Sequence, residues 1–317
     1  MSPGAPRGYR QSARPVRLSG SRTGCLAIAF WLSAASAGAE APPLEETGAG
    51  QAFKAHQYEA ALVEFQKLAA DDPNNALVQR YLALTLDRLG RYREARATIG
   101  DIEPIVKATG DLILLSDLSS MRARYVIETS SWPLLAMESN FGNAYELFAI
   151  GMSAARTRNP TLASRALQAL GQRAQDPREG DLRPAIAIMT QELAGLVALA
   201  EGRRDDGIGT LRLAAAAEAQ LPAPLGLPAP IKPAIELLGE ALVEAGRPAE
   251  AIPFFEAALK RNANRSLSLL GLARATKAAG QADASHRHYR ALLANLAGAD
   301  ADVAALKEAR AAVDTKK

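Results

Sequence analysis

The chain has 317 residues, 48% hydrophobic, 22% charged and only 5% aromatic; alanine and leucine dominate the apolar share, which excludes a disordered polymer and argues against a β-sandwich or barrel. The formal net charge is +3, but residues 1–39 hold five arginines (Arg7, Arg10, Arg14, Arg17, Arg22) and no acid, so beyond them 32 bases face 34 acids. The basic balance therefore belongs to the leader and gives no reason to expect a nucleic-acid partner.

The leader comes first. Its arginine-bearing polar stretch precedes an apolar run from Cys25 to Ala35, and Ala37-Gly38-Ala39 fits a small-residue cleavage site before Glu40. An apolar run of about 11 residues is too short to cross roughly 30 Å of hydrocarbon as a helix. Residues 1–39 thus read as a cleaved signal peptide. The expected destination is the periplasm, with no stable membrane insertion after cleavage; secretion, or anchoring by an uncleaved leader, is the alternative. Cys25 is the only cysteine and would leave with the leader, so the mature chain has no disulfide, thiolate metal site or cysteine nucleophile.

From Glu40 onward the dominant pattern is helical, with an internal repeat. One unit contains Tyr58, Ala61, Phe65 and Leu68 and closes on Asp71-Asp72-Pro73-Asn74-Asn75. The next contains Tyr81-Leu82-Ala83, then Leu89-Gly90-Arg91-Tyr92 and Ala95. Tyr58 to Tyr92 and Ala61 to Ala95 are both 34 residues. A helical repeat of this length resembles the tetratricopeptide repeat (TPR) family, which implies a pair of antiparallel helices in each unit. Small residues at positions 8 and 20 of a unit mark their closest approach, and a glycine near 15 ends the first helix with φ > 0. A bulky residue at 24 fills the space toward the next unit. Pro73 stops the second helix, and Asn74 or Asn75 caps the next one.

The resemblance is uneven along the chain. Units one, two, six (Gly239, Gly246, Ala251, Phe255, Ala258) and seven (Ala273, Gly280, Ser285, Tyr289, Leu292) carry it most fully. Units three (Ala123, Ser130, Trp132, Leu135), four (Gly151, Ala163, Leu167) and five (Gly195, Gly202, Gly207, Leu211) diverge. Unit starts fall near 42, 76, 116, 144, 188, 232 and 266. Two stretched spacings mark longer connections, a polar one at Gly171–Pro184 and a proline-rich one at Leu221–Pro233. Asp300–Val313 reads as a capping helix, with Val303, Leu306 and Val313 inward and Lys307, Glu308 and Arg310 outward.

The expected fold is all-α, a right-handed solenoid of about seven helical hairpins with a C-terminal cap. The segments are 1–39 signal peptide, 40–104 N-terminal repeat pair, 105–220 divergent units, 221–233 proline-rich connection, 234–296 C-terminal repeat pair, and 297–317 cap and tail.

No catalytic constellation is visible. His286 and His288 are two apart on a helix and do not share a face, and His56 stands where other units carry the turn glycine. Phosphate-binding, zinc-protease and nucleophile-elbow motifs are absent, and no cofactor or metal is expected. The glutamates Glu236, Glu240 and Glu244 recur at i, i+4 and i+8; such a stripe can bind a cation or a basic partner, or simply face water.

The resemblance implies a non-catalytic scaffold or adaptor that grips a protein or peptide on the concave wall built by the first helix of each unit, in envelope protein assembly or maturation. The groove positions are Arg80, Leu84, Asp87 and Arg88 in unit two and Arg124, Ile127 and Glu128 in unit three. They continue with Tyr145, Phe148, Met152 and Arg156 in unit four, then Met189, Glu192, Leu196 and Leu199 in unit five. The last are Lys232, Glu236, Glu240 and Glu244 in unit six, and Leu270, Arg274 and Lys277 in unit seven. A competing view makes Phe148, Met152 and Leu196 core. The family's C-terminal-carboxylate clamp is disfavoured: Arg80/Leu84 and Glu236/Glu240 do not match its lysine/asparagine pair. The alternative function is an enzyme or sugar-binding protein with its site in the divergent middle. The proline-rich connection reads as a linker, or else as an internal ligand of the groove.

Overall fold

The computed structural model describes residues 43–110, 112–132, 143–222 and 230–314. The leader, and most of the proline-rich connection with any groove occupancy by it, lie outside these residues. The described elements are all helical. After a 3-10 turn at Leu44–Glu46 come α1 (Gly48–Lys54), α2 (Tyr58–Asp71), α3 (Ala76–Arg88), α4 (Tyr92–Thr109) and α5 (Leu112–Thr129). Then follow α6 (Ala144–Arg156), α7 (Pro160–Gln175), α8 (Arg183–Ala200), α9 (Arg204–Gln220) and α10 (Ala234–Glu244). The chain ends with α11 (Pro248–Arg261), α12 (Ser266–Ala278), α13 (Ala282–Asn295) and α14 (Ala304–Asp314).

Consecutive helices pair as hairpins, and first helices also touch one unit on: α3 packs on α5, α6 on α8 and α10 on α12. This is a stack of helical hairpins, an α-solenoid in which each unit buries its apolar face against the next. The second helix of unit three would fall within 133–142, outside the described residues.

The local signals act as read. α2 ends at Asp71 ahead of Pro73, and the Asn75 side chain accepts a hydrogen bond from the Val78 amide at 3.2 Å, capping α3. In unit five the approach of α8 and α9 is so close that a Cβ on Gly195 would lie 2.7 Å from Leu211 and one on Gly207 2.7 Å from Leu199. His56 and Ser130 hold the left-handed turn that glycine takes elsewhere, with φ of 59° and 55°. The Phe255 ring is fully buried between α10 and α12, against Gly239 and Gly271, and so fills the space toward the next unit.

Two readings need correction. Gly171 to Gln175 continue α7, and the rest of the polar connection is a tight 3-10 turn, Pro177–Leu182, reversed at Gly180 (φ +51°). In the cap, Val303 and Leu306 are buried as expected of its inner side and Val313 is half-buried, but Glu308 is half-buried and ion-paired rather than solvated. Pro177–Ala200 is long and apolar enough to cross a membrane by composition, yet 56% of its 18-residue apolar window is buried, and α8 packs against α6, α7 and α9.

Candidate functional site

The stack bends until the loop before its last helix meets the turn between α3 and α4. The Asp300 amide donates to the Gly90 carbonyl at 3.1 Å, and Asp300 Oδ2 accepts from the Arg93 amide at 2.9 Å. Arg93 Nη2 pairs with Asp302 at 2.9 Å. Gly90 permits this contact on two counts. Its φ is +70°, and a Cβ there would lie 2.8 Å from the Ala299 Cβ. Deeper in, Arg265 at the start of α12 binds Glu128 at the end of α5 at 2.6 Å. The turn before α4 is thus seamed to the loop before α14.

The seam makes the inner wall a chamber of about 620 Å³. Aromatic and apolar side chains form much of it: Tyr92, Tyr125 and Trp132 on one side, Met152, Phe255 and Leu270 on the other. Tyr92 and Tyr125 meet edge to face, with ring centroids 6.5 Å apart and planes at 89°.

A chain of ion pairs runs behind and along this wall. It begins at Glu128, passes to Arg265 and from there to Glu236, whose Oε2 lies 2.8 Å from Arg265 Nε. Ser268 also donates to Glu236. Lys232 Nζ bridges Glu236 at 2.7 Å and Glu240 at 2.5 Å. Arg156 on α6 closes the chain, 3.8 Å from Glu240 and 2.7 Å from Glu244. Burial alone would raise the Glu236 carboxyl, but Arg265 and Lys232 outweigh it and hold it at about 2. Burial would likewise lower Arg156, and Glu244 and Glu240 reverse the sign. The glutamate stripe of α10 is therefore not a simple wet face: Glu236 is fully buried, Glu240 half-buried and only Glu244 exposed.

Of the expected groove positions, Ile127, Glu128, Met152, Glu240 and Arg274 line the chamber, together with Arg156, Lys232, Glu244 and Leu270. Arg80, Leu84 and Arg124 gather elsewhere, around a narrow cleft between α3 and α5, where Arg80 pairs with Asp117. Burial pushes Arg124 down to about 10. Arg88 is half-buried beside Asp87, and Lys277 is exposed on α12. Phe148, Met189 and Leu196 are buried in the core, Met152 as well on its other side. Glu192 is fully buried, and neither carboxylate oxygen has a hydrogen-bond partner. Burial, then the nearby Glu218, raises its carboxyl well above the usual range. No residue of unit five lines the chamber, and Arg156 reaches directly from α6 to α10, joining units four and six.

Tyr92, Tyr125, Asp300 and Asp302 were not groove candidates. Trp132 enters the sequence reading only as a repeat residue of unit three. The aromatics around the third unit's turn are a signal for Tyr125 and Trp132; no local signal marks Tyr92, Asp300 or Asp302. Among the described residues no group of three or more His, Cys, Asp or Glu is placed to hold a metal ion.

Residues 52–108 match the tetratricopeptide repeat family. No curated protein sequence matches the chain. Among solved structures it is similar to a tetratricopeptide repeat protein from Parabacteroides merdae, with 12% identity over 84% of this chain and 96% of that one and a TM-score of 0.45. It is also similar to the TPR domain of P58(IPK), with 13% identity, 85% and 97% coverage and a TM-score of 0.31. A third similarity is to Naa15/Naa10 bound to HypK, with 16% identity, 83% and 38% coverage and a TM-score of 0.32.

Proposed function

We propose that this chain is an exported, non-catalytic TPR scaffold that holds a segment of a partner polypeptide in its central chamber, in the assembly or maturation of envelope proteins. The observation that carries the reading is the chamber itself, an aromatic and apolar hollow of about 620 Å³ walled by first helices of four units. The tetratricopeptide match at 52–108 supports it, since stacked hairpins of that kind serve as binding walls. The leader supports export. The ionisable groups on the wall are tied to one another, and no nucleophile–base pair stands among them.

A second reading has one observation in its favour. The chamber volume lies in the range of small-molecule sites, about 300–1,000 Å³, so a sugar or other small ligand, or its turnover, is the competing occupant.

The test is crosslinking of the protein in the envelope followed by purification, beside a broad hydrolase and glycan-binding screen of the same preparation. A polypeptide recovered in defined ratio, with no turnover, supports the scaffold. Turnover abolished by one chamber substitution, with no polypeptide recovered, replaces it with the second reading.

A further inference from the structure

The charges of the chamber do not cancel. The wall, with the side chains in direct ion pair with it, holds seven carboxylates against five cations. Every cation is engaged. Arg265 and Lys232 each sit between two carboxylates, as does Arg156. Arg93 faces Asp302 and, through its amide, Asp300, while Arg274 pairs with Glu308 at 2.6 Å. The ion chain ends in a carboxylate at both sides, Glu128 and Glu244, each holding a single cation. Glu128 stands on the same wall as Tyr92, Tyr125 and Trp132, whose ring faces attract cations and not anions.

An anionic ligand would enter a wall with no uncommitted cation. It would have to break an existing pair, leaving a desolvated charge behind. A cationic side chain meets surplus carboxylate and aromatic faces, and its aliphatic stem can lie along Met152, Phe255 and Leu270. We propose that the chamber selects a basic polypeptide segment, one lysine or arginine beside an aromatic or aliphatic anchor, through this carboxylate surplus and its aromatic corner. The inference rests on the reading that the chamber holds a polypeptide.

The test uses a displayed library of random octapeptides, selected on the full chain carrying Trp31→Phe, which leaves Trp132 as the sole tryptophan and a fluorescent reporter inside the chamber. The expected winners carry lysine or arginine next to an aromatic or aliphatic residue, and shift Trp132 emission. Replacing their basic residue by glutamate should weaken binding at least about tenfold, equivalent to about 1.4 kcal/mol, and added salt should weaken the basic peptide. Glu244→Gln, at a side chain 56% exposed and therefore safe for folding, should reduce the preference several-fold. Winners that shift Trp132 but are neutral or acidic overturn the charge selection and leave the chamber as a polypeptide site. A selection yielding no peptide that shifts Trp132 overturns both readings.

Discussion

Arg93 and Asp300, 207 positions apart, are joined by a backbone-to-carboxylate hydrogen bond of 2.9 Å. A linear stack of hairpins brings together only neighbours, so this bond and the Asp300–Gly90 contact beside it are made by accumulated curvature. They convert an open inner wall into a chamber, and the residues that hold the seam become the first to test.

Gly90→Ala should cost more than Gly246→Ala. Both glycines have positive φ, +70° and +76°, and the conformational penalty of such a site is about 1–3 kcal/mol. Only at Gly90 would the added methyl strike another element, the loop at Leu296 and Ala299, whereas Gly246 faces open space. Urea denaturation of the two variants gives the difference directly. Equal losses would mean that the seam contributes nothing to stability.

Phe255→Ala should destabilise by about 3–5 kcal/mol. The ring is fully buried and fills the gap between two helices whose glycines leave no side chain to take its place. A loss under about 1 kcal/mol by chemical denaturation would show that α10 and α12 can close the gap.

Arg265→Met should cost about 3–5 kcal/mol, because it strips Glu236, fully buried, of its bidentate partner. The double variant Arg265→Met/Glu236→Met should recover much of that loss. The Glu236 carboxyl is held at about 2, below its unfolded value of about 4.3, so its contribution is present above the unfolded value and is lost as pH falls from about 4.3 toward 2. Additive losses in the double-mutant cycle would contradict the pairing.

Glu192 has the opposite sign. Its carboxyl is raised by burial, so the protonated form belongs to the fold. The fold's advantage is complete below the unfolded value of about 4.3 and is lost as pH rises through the raised value. Glu192→Met, which keeps the length and removes two unpartnered oxygens, should therefore raise Tm more at pH 8 than at pH 4. A gain independent of pH would mean that the acid is solvated.

Most of the hairpin architecture is legible in short-range pattern. Ala61 and Ala95 are buried at the closest approach of their helices, Phe65 fills its unit, and Asn75 caps α3, all from rules that act within one repeat. The chamber is not legible that way. Arg265 finds Glu128 at a separation of 137 positions, and no local spacing marks that pair. A groove map drawn from family positions assumes an open wall. Here Phe148, Met189 and Leu196 are core, and the chamber brings forward Tyr92 and Tyr125, whose positions in their own repeats look like packing residues. The glutamates of α10 show the same limit: the i, i+4, i+8 stripe is local, but Arg156 and Arg265, which bind it, come from other units.

The most direct test of the chamber as the binding site is photocrosslinking in living cells from a benzoylphenylalanine placed at Leu267, which lines the chamber, and separately at Leu213, which is 65% exposed on α9. A polypeptide adduct of defined mass from position 267 and none from 213 is the result expected. Adducts from 213 alone would place the partner on the outer face, and equal adducts from both would show no preference for the chamber; either result contradicts the account.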